Sequence, residues 1–381
     1  MQGFDIVIGN PPYGAKFSET DKLYFKNSFK NKDSETESFI LFIELGGTLQ
    51  NQNGSLWFII PNNISTNPNY VKIRKHTLDN FSIQMIIDLG ANIFENASVD
   101  SCIFALKKQK LENSKIRCGK ISSRDLAESE LKLFEQKYFT TTPQNIFNFY
   151  ISTETSYLID KIQSKALHKL TDLIDFSRGI EFGYNSDYVY DNKGKNRKPL
   201  IAGRCLNRYE LRFENKYIEV DFNDSSNFKT KSIYENPKIF VRRIGKEIIA
   251  YLDKENFYNV CDVYNLLPKS PKVDLYEILG IINSRCINYF FSNFFKNAKE
   301  LFPKIPIKHL KEVPIKFSKG KISKLANDIQ EKRVLAKDTL ALEQQVDNLV
   351  YRLYELSYDE VKLIDPTFPL SQKEYEDIRL D

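Results

Sequence analysis

The residues best suited to chemistry lie in FDIVIGNPPY, residues 4–13. The apolar run predicts a parallel strand buried on both faces, so the tetrapeptide follows its carboxyl end, where open α/β sheets bind ligands. Two prolines remove two backbone donors, which makes the carbonyl of Pro11 and the side-chain oxygen of Asn10 rigid acceptors. These acceptors suit a substrate amino group, with Tyr13 stacking on its planar ring. The alternative is a strand-ending turn with a packed tyrosine; the preceding strand favours a binding site.

The elements around this motif predict an α/β domain. Apolar runs predict strands at 4–8, 55–60, 83–90 and 101–108, with helices at 38–50 and in NYVKIRKHTLDNF. Strands that alternate with helices are typical of a βαβ sheet. Four regions follow along the chain: part of an α/β domain (1–110), a connecting helical region (111–165), a mixed α+β domain rich in short apolar runs (166–318) and a C-terminal helical region (319–381).

The composition narrows the function classes. The 381 residues suffice for two domains, and no apolar run is long enough for a membrane helix, so we expect a cytoplasmic protein. The five cysteines are scattered and form no CxxC pair, and the three histidines are isolated. This spacing argues against a disulfide framework and against a metal site.

Positive charge is concentrated in the middle of the chain. Residues 165–320 carry 28 Lys and Arg against 19 Asp and Glu, whereas the whole chain has a net charge of only +5. An uneven distribution of this kind favours a polyanion such as nucleic acid as a partner. A solvated, lysine-rich surface is the alternative on charge alone.

Near the C-terminus, residues 319–357 predict an amphipathic helix. The apolar residues recur every three or four positions: Leu335, Leu342, Val346, Leu349, Leu353 and Leu356. Packing on the core is favoured over a coiled coil with a partner, because the heptad pattern is not sustained.

FDIVIGNPPY resembles motif IV of the N6-adenine DNA methyltransferases. Their later motifs are matched in order by ESFILFIELGGTLQNQNGSLWFIIPNNI and IRKHTLDNFSIQMIIDLGANIFENASVDSCIFALKK. The middle of the chain is similar to the recognition domain of TaqI-like enzymes, through GIEFGYNSDYVY, KPLIAGRCLNRYE, NPKIFVRR and LGIINSRCINYFF. The C-terminal VDNLVYRLYELSYDEVKLID resembles the end of type IIG restriction-modification enzymes. Together these segments cover most of the chain.

The resemblance implies roles for the motif residues. Asn10 and Pro11 would hold the amino group of an adenine flipped out of the duplex, Pro12 would stiffen the loop, and Tyr13 would stack on the base. Phe94 falls where the family places a second aromatic wall of the base pocket; a core phenylalanine is the alternative.

The cofactor implied is S-adenosyl-L-methionine, with Phe42 near its adenine, but the main binding motif is not found. In the family a Gly-rich loop and an acidic residue precede motif IV. LIDFSRGIEFG, at 173–183, lacks the tight Gly-x-Gly turn into a helix. The expected fold is therefore a partial Rossmann-like methyltransferase sheet with an apolar edge, completed by a cofactor-binding partner subunit or by a missing N-terminal half.

In the recognition region, five basic residues are candidates for contact with double-stranded DNA. Arginine can read guanine or contact phosphate, and surface ion pairs with nearby glutamates are the alternative. The candidates are Arg204, Arg208, Arg242, Arg243 and Lys246.

Three functions fit these patterns. The first is an adenine-specific DNA methyltransferase of a restriction-modification system that needs a cofactor-binding half. The second is a non-catalytic DNA-binding specificity subunit, favoured by the missing Gly-rich loop and disfavoured by the intact NPPY. The third is a methyltransferase for another planar amine, such as a protein glutamine, which would not need the long basic domain.

Overall fold

The computed structural model describes residues 3–31, 37–90, 100–121, 131–184, 186–224, 227–294 and 304–380. The chain divides between Ser152 and Thr153 into two compact units. Phe94 lies outside the described residues.

The first unit is built on a single sheet with helices. Its strands are β1 (Phe4–Gly9), β2 (Gln50–Pro61), β3 (Ser82–Gly90), β4 (Ser101–Lys107), β5 (Lys115–Lys120) and β6 (Lys132–Glu135). Its helices are α1 (Glu19–Ser28), α2 (Ser38–Leu49), α3 (Val71–Asn80) and α4 (Gln136–Thr141).

The sheet has the order β1-β2-β4-β3-β5-β6, with β1 at one edge. β1 runs parallel to β2 and β3 runs parallel to β5, whereas β4 is antiparallel to both of its neighbours. The predicted α/β class is confirmed, and β5 and β6 extend the sheet beyond residue 110. Burial of β1 on both faces is a wrong prediction, because the side chains of Phe4, Ile6 and Ile8 are 63%, 65% and 80% exposed.

Helix α2 packs closely on the sheet because it contains two adjacent glycines. A Cβ atom at Gly46 would clash with Leu56 of β2, and one at Gly47 would lie 2.6 Å from the ring of Phe81. These contacts fix the C-terminal half of α2 against the sheet, whereas Ser38 is at the start of the helix.

The second unit contains twelve short strands and ten helices among its described residues. The strands are β7 (His168–Lys169), β8 (Ile174–Arg178), β9 (Val189–Tyr190), β10 (Arg197–Ile201), β11 (Leu206–Asn207), β12 (Glu210–Leu211), β13 (Tyr217–Glu219), β14 (Lys238–Arg242), β15 (Ala250–Asp253), β16 (Tyr258–Asn259), β17 (Val263–Pro268) and β18 (Pro314–Ile315). The helices are α5 (Thr153–Ser164), α6 (Leu170–Leu173), α7 (Lys231–Tyr234), α8 (Leu275–Asn283), α9 (Arg285–Phe294), α10 (Ile307–Leu310), α11 (Lys321–Val334), α12 (Leu340–Leu353), α13 (Tyr358–Ile364) and α14 (Gln372–Glu376).

Two four-stranded sheets organise this unit, in the orders β15-β14-β17-β8 and β16-β10-β13-β9. The predicted runs KPLIAG, KYIEV and PKIFVRR contain β10, β13 and β14. An ion pair between Lys238 and Asp253 joins β14 to β15, and both side chains are fully buried. The predicted fold of the second unit, mixed α+β with a helical C-terminal region, is thus confirmed.

The single amphipathic helix predicted over 319–357 is wrong in its extent. Two helices, α11 and α12, are separated by a turn in which Ala336 has a φ of 53°. Leu335 lies in this turn and is 63% exposed, whereas Val346 and Leu353 are buried. Hydrophobic spacing did not reveal the break, because the apolar residues that carried the prediction begin at the turn and none of them lies in α11.

No helix in the described part of the chain is long and apolar enough to cross a membrane.

Candidate active site and nucleic-acid interface

The Asn-Pro-Pro-Tyr loop leaves the carboxyl end of β1, next to β2. Pro11 is buried, whereas Asn10 and Pro12 are exposed. The hydroxyl of Ser38, at the start of α2, donates a hydrogen bond to the carbonyl of Pro12. The loop is therefore held from both sides, by the strand that precedes it and by the helix over it.

The side chain of Asn10 makes no hydrogen bond with any residue that the structure describes. Its carboxamide is exposed at the end of a rigid Pro-Pro segment, so an acceptor oxygen is available to a ligand. This arrangement can hold an amino group without the side chain giving up a hydrogen bond within the protein.

Tyr13 is half-buried beside the loop, with its hydroxyl group in the interior. The phenol lies beside Ser101 and Cys102 at the start of β4. Burial raises the pKa of Tyr13 above its usual value, and the neighbouring Ser101 acts in the opposite direction. The buried hydroxyl makes no hydrogen bond of normal geometry with the described residues. The hydroxyl therefore stays neutral near pH 7, and the half-buried ring has a defined position beside the loop.

A buried polar network supports the same edge of the sheet. Asp88, near the end of β3, is fully buried and accepts a hydrogen bond from the hydroxyl of Tyr150 at 2.9 Å. Asn62, directly after β2, donates its side-chain amide to the same hydroxyl at 3.3 Å. Burial raises the pKa of Tyr150, and the charge of Asp88 raises it further. Tyr150 therefore links the ends of two strands.

This network also holds the residues that flank 91–99, the segment that contains Phe94. The backbone N–H of Gly90 donates to the carboxylate of Asp88 at 2.8 Å, and the N–H of Asn62 donates to the carbonyl of Asp100 at 2.8 Å. Sequence reasoning missed the network. The charged Asp88 within the apolar run IIDLG could have indicated a buried polar group. No feature of the sequence around Tyr150 indicates its role.

Phe42 lies one helical turn after Ser38 on α2, so it faces the same side as the residue that contacts the motif loop. Its side chain is 43% exposed, and Leu45 and Leu49 further along the helix are exposed to a similar extent. Phe4, Ile6 and Ile8 point to the other face of the sheet, because Val7 between them is paired with Leu56, which contacts α2. The six exposed residues thus lie on both faces beside the edge strand, and together they are named the β1/α2 apolar surface.

In the second unit, two of the predicted basic residues are bound by glutamates. Arg204 donates through both Nε and Nη2 to Glu214, and Arg208 donates to Glu247 at 2.7 Å. Arg204 also lies over the ring of Tyr184, 4.8 Å from its centroid. The ion-pair alternative thus describes both residues in this structure.

Arg242 and Arg243 end β14 in a different environment. Arg242 packs against the glycines at 203 and 245: a Cβ atom at Gly203 would lie 3.1 Å from its Cγ. Arg243 donates weakly to the carbonyl of Cys261, at 3.4 Å. Lys246 is exposed in the next turn, where its carbonyl accepts a hydrogen bond from Ser292. All five predicted basic residues lie in one region of the unit. Arg242 contacts Gly203, next to Arg204, and Arg208 pairs with Glu247, next to Lys246.

Comparison with known protein families divides the chain in the same way. Residues 1–94 match the family of the Eco57I restriction-modification methylase, and residues 198–315 match the TaqI-like C-terminal specificity domain.

Several type II methyltransferases are similar in sequence. The "Putative type II restriction enzyme and methyltransferase RM.MjaORFECS2P" of Methanocaldococcus jannaschii is 29% identical over 93% of this chain. The type II methyltransferase M.BstVI of Geobacillus stearothermophilus is 19% identical over 95% of it. The chain spans 31% of the length of the first relative and 75% of the second.

The fold is similar to solved restriction-modification structures. The type IIL enzyme MmeI in complex with DNA superimposes over 98% of this chain and 57% of its own, with a TM-score of 0.61 at 11% identity. The DrdV–DNA complex covers 86% of this chain and 44% of its own, with a TM-score of 0.52 at 10% identity. The chain thus contains a region similar to the Eco57I restriction-modification methylase family, followed by a region similar to the TaqI-like specificity domain.

Proposed function

We propose that the chain is the catalytic-loop and target-recognition part of a site-specific DNA methyltransferase that acts on the N6 amino group of adenine. The observation that carries the proposal is the exposed, unpartnered carboxamide of Asn10 on a Pro-Pro segment. The segment is held by Ser38 and followed by the half-buried Tyr13, an arrangement that suits a planar base with an exocyclic amine.

We also propose that the base is flipped. An adenine amino group inside a duplex is paired and stacked between neighbouring bases, so the adenine must leave the stack before the loop can hold it. Asn10 and Pro11 then accept its two amino hydrogens, which directs the nitrogen lone pair away from the ring. Tyr13 stacks on the base, with Phe94 proposed as the opposite wall.

S-adenosylmethionine, when bound, supplies the methyl group as an electrophile. Among the described residues, Phe42 suits an adenine ring, because it is an exposed aromatic side chain one turn from the residue that holds the motif loop. It forms one wall only. We therefore propose that a cofactor-binding region supplies the remaining contacts, either as a partner subunit or as a further part of the same protein.

The β1/α2 apolar surface is the proposed docking site for that region. β1 is an edge strand with open backbone groups and three exposed apolar side chains, a combination that favours addition of another strand. The isolated chain should accordingly self-associate, and should neither bind the cofactor tightly nor methylate DNA.

The second unit is proposed to bind double-stranded DNA through Arg204, Arg208, Arg242, Arg243 and Lys246. Affinity should fall steeply with salt, as expected when several phosphates are neutralised. On binding, Arg204 and Arg208 would exchange their glutamate partners for phosphate. Binding that does not respond to ionic strength would contradict this role.

The decisive experiment replaces Asn10 with Ala in the chain supplied with its cofactor-binding region. N6-methyladenine formed in unmethylated DNA is measured by mass spectrometry of digested nucleosides. We expect a loss of roughly 100-fold or more, because one preorganised contact to the reacting group is removed. DNA affinity should stay unchanged, because Asn10 contacts no phosphate.

Asn53→Ala is the matched control, since Asn53 is an exposed asparagine at the opposite end of β2. Full activity of Asn10→Ala would refute the catalytic role. Wild-type binding to DNA without methylation, even with the cofactor-binding region present, would favour the non-catalytic specificity subunit. Methyl groups found in protein instead of DNA would favour a glutamine substrate.

A further inference from the structure

Two arginines end strands at the same end of the sheet β15-β14-β17-β8. β8 and β14 run in the same direction on either side of the antiparallel β17. Arg178, the last residue of β8, lies opposite Tyr264, and Arg242, the last residue of β14, lies opposite Val263. Sequence analysis assigned no role to Arg178.

Both arginines have an unused donor. Nε of Arg178 and Nε of Arg242 are buried, and neither has a hydrogen-bond partner within the described residues. Arg178 makes one long ion pair, 3.3 Å from its Nη2 to Glu181, and 38% of its side chain is exposed. Each guanidinium is thus partly accessible and incompletely bonded.

The exposed arginines of the same unit are bonded differently. Arg204 donates through Nε and Nη2 to Glu214, and Arg212 does so to Glu210. The edge of the guanidinium that forms paired hydrogen bonds is already occupied in both. In Arg178 and Arg242, Nε is buried without a partner, and among the described residues the terminal nitrogens carry only the long ion pair from Arg178 to Glu181. The outer edge formed by Nη1 and Nη2 can therefore receive paired acceptors from a ligand.

An unmet buried donor lowers the stability of a folded protein, so these arginines are not explained by stability. Functional residues commonly carry such a cost. The surroundings also limit movement of Arg242, because its Nη2 lies 3.2 Å from where a Cβ atom of Gly245 would stand. A confined, planar guanidinium suits the paired acceptors of a guanine edge better than a mobile phosphate contact.

We propose that Arg178 and Arg242 are specificity-determining residues that read base edges in the target sequence, an inference that rests on the proposed DNA binding. Each should form paired hydrogen bonds with one guanine. Each therefore determines one position of the recognition sequence.

The test uses the full chain and a pool of duplex DNA with a randomised segment. Bound DNA is sequenced, and the dissociation constant for the preferred sequence is measured at two salt concentrations. We expect Arg178→Met and Arg242→Met each to lose base preference at one position and to weaken binding roughly 5- to 150-fold. Their melting temperatures should equal or exceed that of the wild type.

Two further variants separate base reading from phosphate contact. Arg178→Lys and Arg242→Lys keep the charge but lose the paired donors, so they should also lose the base preference. A uniform loss of affinity across all sequences, with a lower salt slope and an unchanged motif, would overturn the inference in favour of phosphate contact.

Arg333 is the matched control, because its Nε is also buried without a partner while its Nη2 pairs with Glu343 at 2.6 Å. It lies on α11 and not at the end of a strand of this sheet, and Arg333→Met should leave the motif unchanged. If the wild type selects a motif and the Arg178 and Arg242 variants retain it, this inference alone is wrong. If the wild type binds no DNA, both this inference and the proposed DNA binding are wrong.

Discussion

The two units treat the edges of their sheets in opposite ways. In the first unit, the edge strand β1 exposes Phe4, Ile6 and Ile8. In the second unit, the edge strand β15 is buried along its whole length. An unpaired edge strand can pair with another strand, so the open edge of β1 supports the proposed docking there, whereas the edge of β15 is already covered.

Two carboxamides complete the edge of β15. Asn283 accepts from the N–H of Ala250 at 2.9 Å and donates to its carbonyl at 3.0 Å. Gln330 forms the same pair of bonds with Leu252, at 3.1 and 2.8 Å. These side chains bond the strand much as a neighbouring strand would. The proposed DNA recognition by this unit can therefore be tested on the chain alone, whereas a test of the proposed methyl transfer requires the cofactor-binding region.

The largest expected change in stability comes from removing the two carboxamides that bond the edge of β15. Asn283→Leu and Gln330→Met should each lower the free energy of unfolding by about 2–5 kcal/mol, because each leaves a buried N–H and a buried carbonyl without partners. Urea denaturation measures the change. Asn236→Leu, at an exposed asparagine after α7, should change it by less than about 0.5 kcal/mol. An equally mild effect at Asn283 would remove the contrast between the two edges.

The second prediction places a charge on the exposed edge strand β1. Ile8→Lys should weaken binding of the cofactor-binding region by about 1.5–3 kcal/mol, the value of burying one large apolar side chain. Self-association of the lone chain, followed by sedimentation, should decrease as well.

DNA affinity and melting temperature should not change in Ile8→Lys. Val334→Lys, at a residue of α11 that is 71% exposed, is the control for added charge. If the two variants behave alike in the association assay, β1 is not the docking strand.

The polar network behind the motif loop gives a smaller effect. Tyr150→Phe removes the hydroxyl that donates to the buried Asp88, and we expect a loss of about 1–3 kcal/mol of unfolding free energy. Tyr157→Phe, at a residue that is 65% exposed, should be neutral. Equal stability of Tyr150→Phe and the wild type would mean that the network does not support the carboxyl edge of the sheet.

The smallest effect is a pH dependence within the second unit. Burial raises the pKa of Asp347 to about 6. Arg285, whose backbone N–H donates a hydrogen bond to the Asp347 carboxylate, lowers this pKa by a smaller amount. A raised carboxyl pKa stabilises the fold below the unfolded value near 4, and this contribution is lost as pH rises through 6.

Wild-type stability should therefore fall relative to Asp347→Asn by about 1 kcal/mol between pH 5 and 7. Urea denaturation at both pH values checks the difference. Parallel curves for the two proteins would show that Asp347 does not titrate in this range.

Local stereochemistry explains how much of the first site was predictable. Pro11 and Pro12 restrict the backbone by themselves, and an apolar run directly before them is enough to place Asn10 at the end of a strand. The β-rich middle segment and its basic residues are visible in the same way, because strand periodicity and charge are properties of neighbouring residues.

Sequence alone also determined that the chain combines a strand, a Pro-Pro loop and a basic domain. Only the tertiary structure decided which groups are bonded and which are open. Asp88 meets Tyr150 across 62 positions, and Leu252 meets Gln330 across 78. Arg178 is distinguished from Arg204 by its burial and its unused donor, not by its neighbours in sequence. Such differences depend on which distant backbone and side-chain groups come into contact in the fold. Short-range sequence patterns do not determine these contacts.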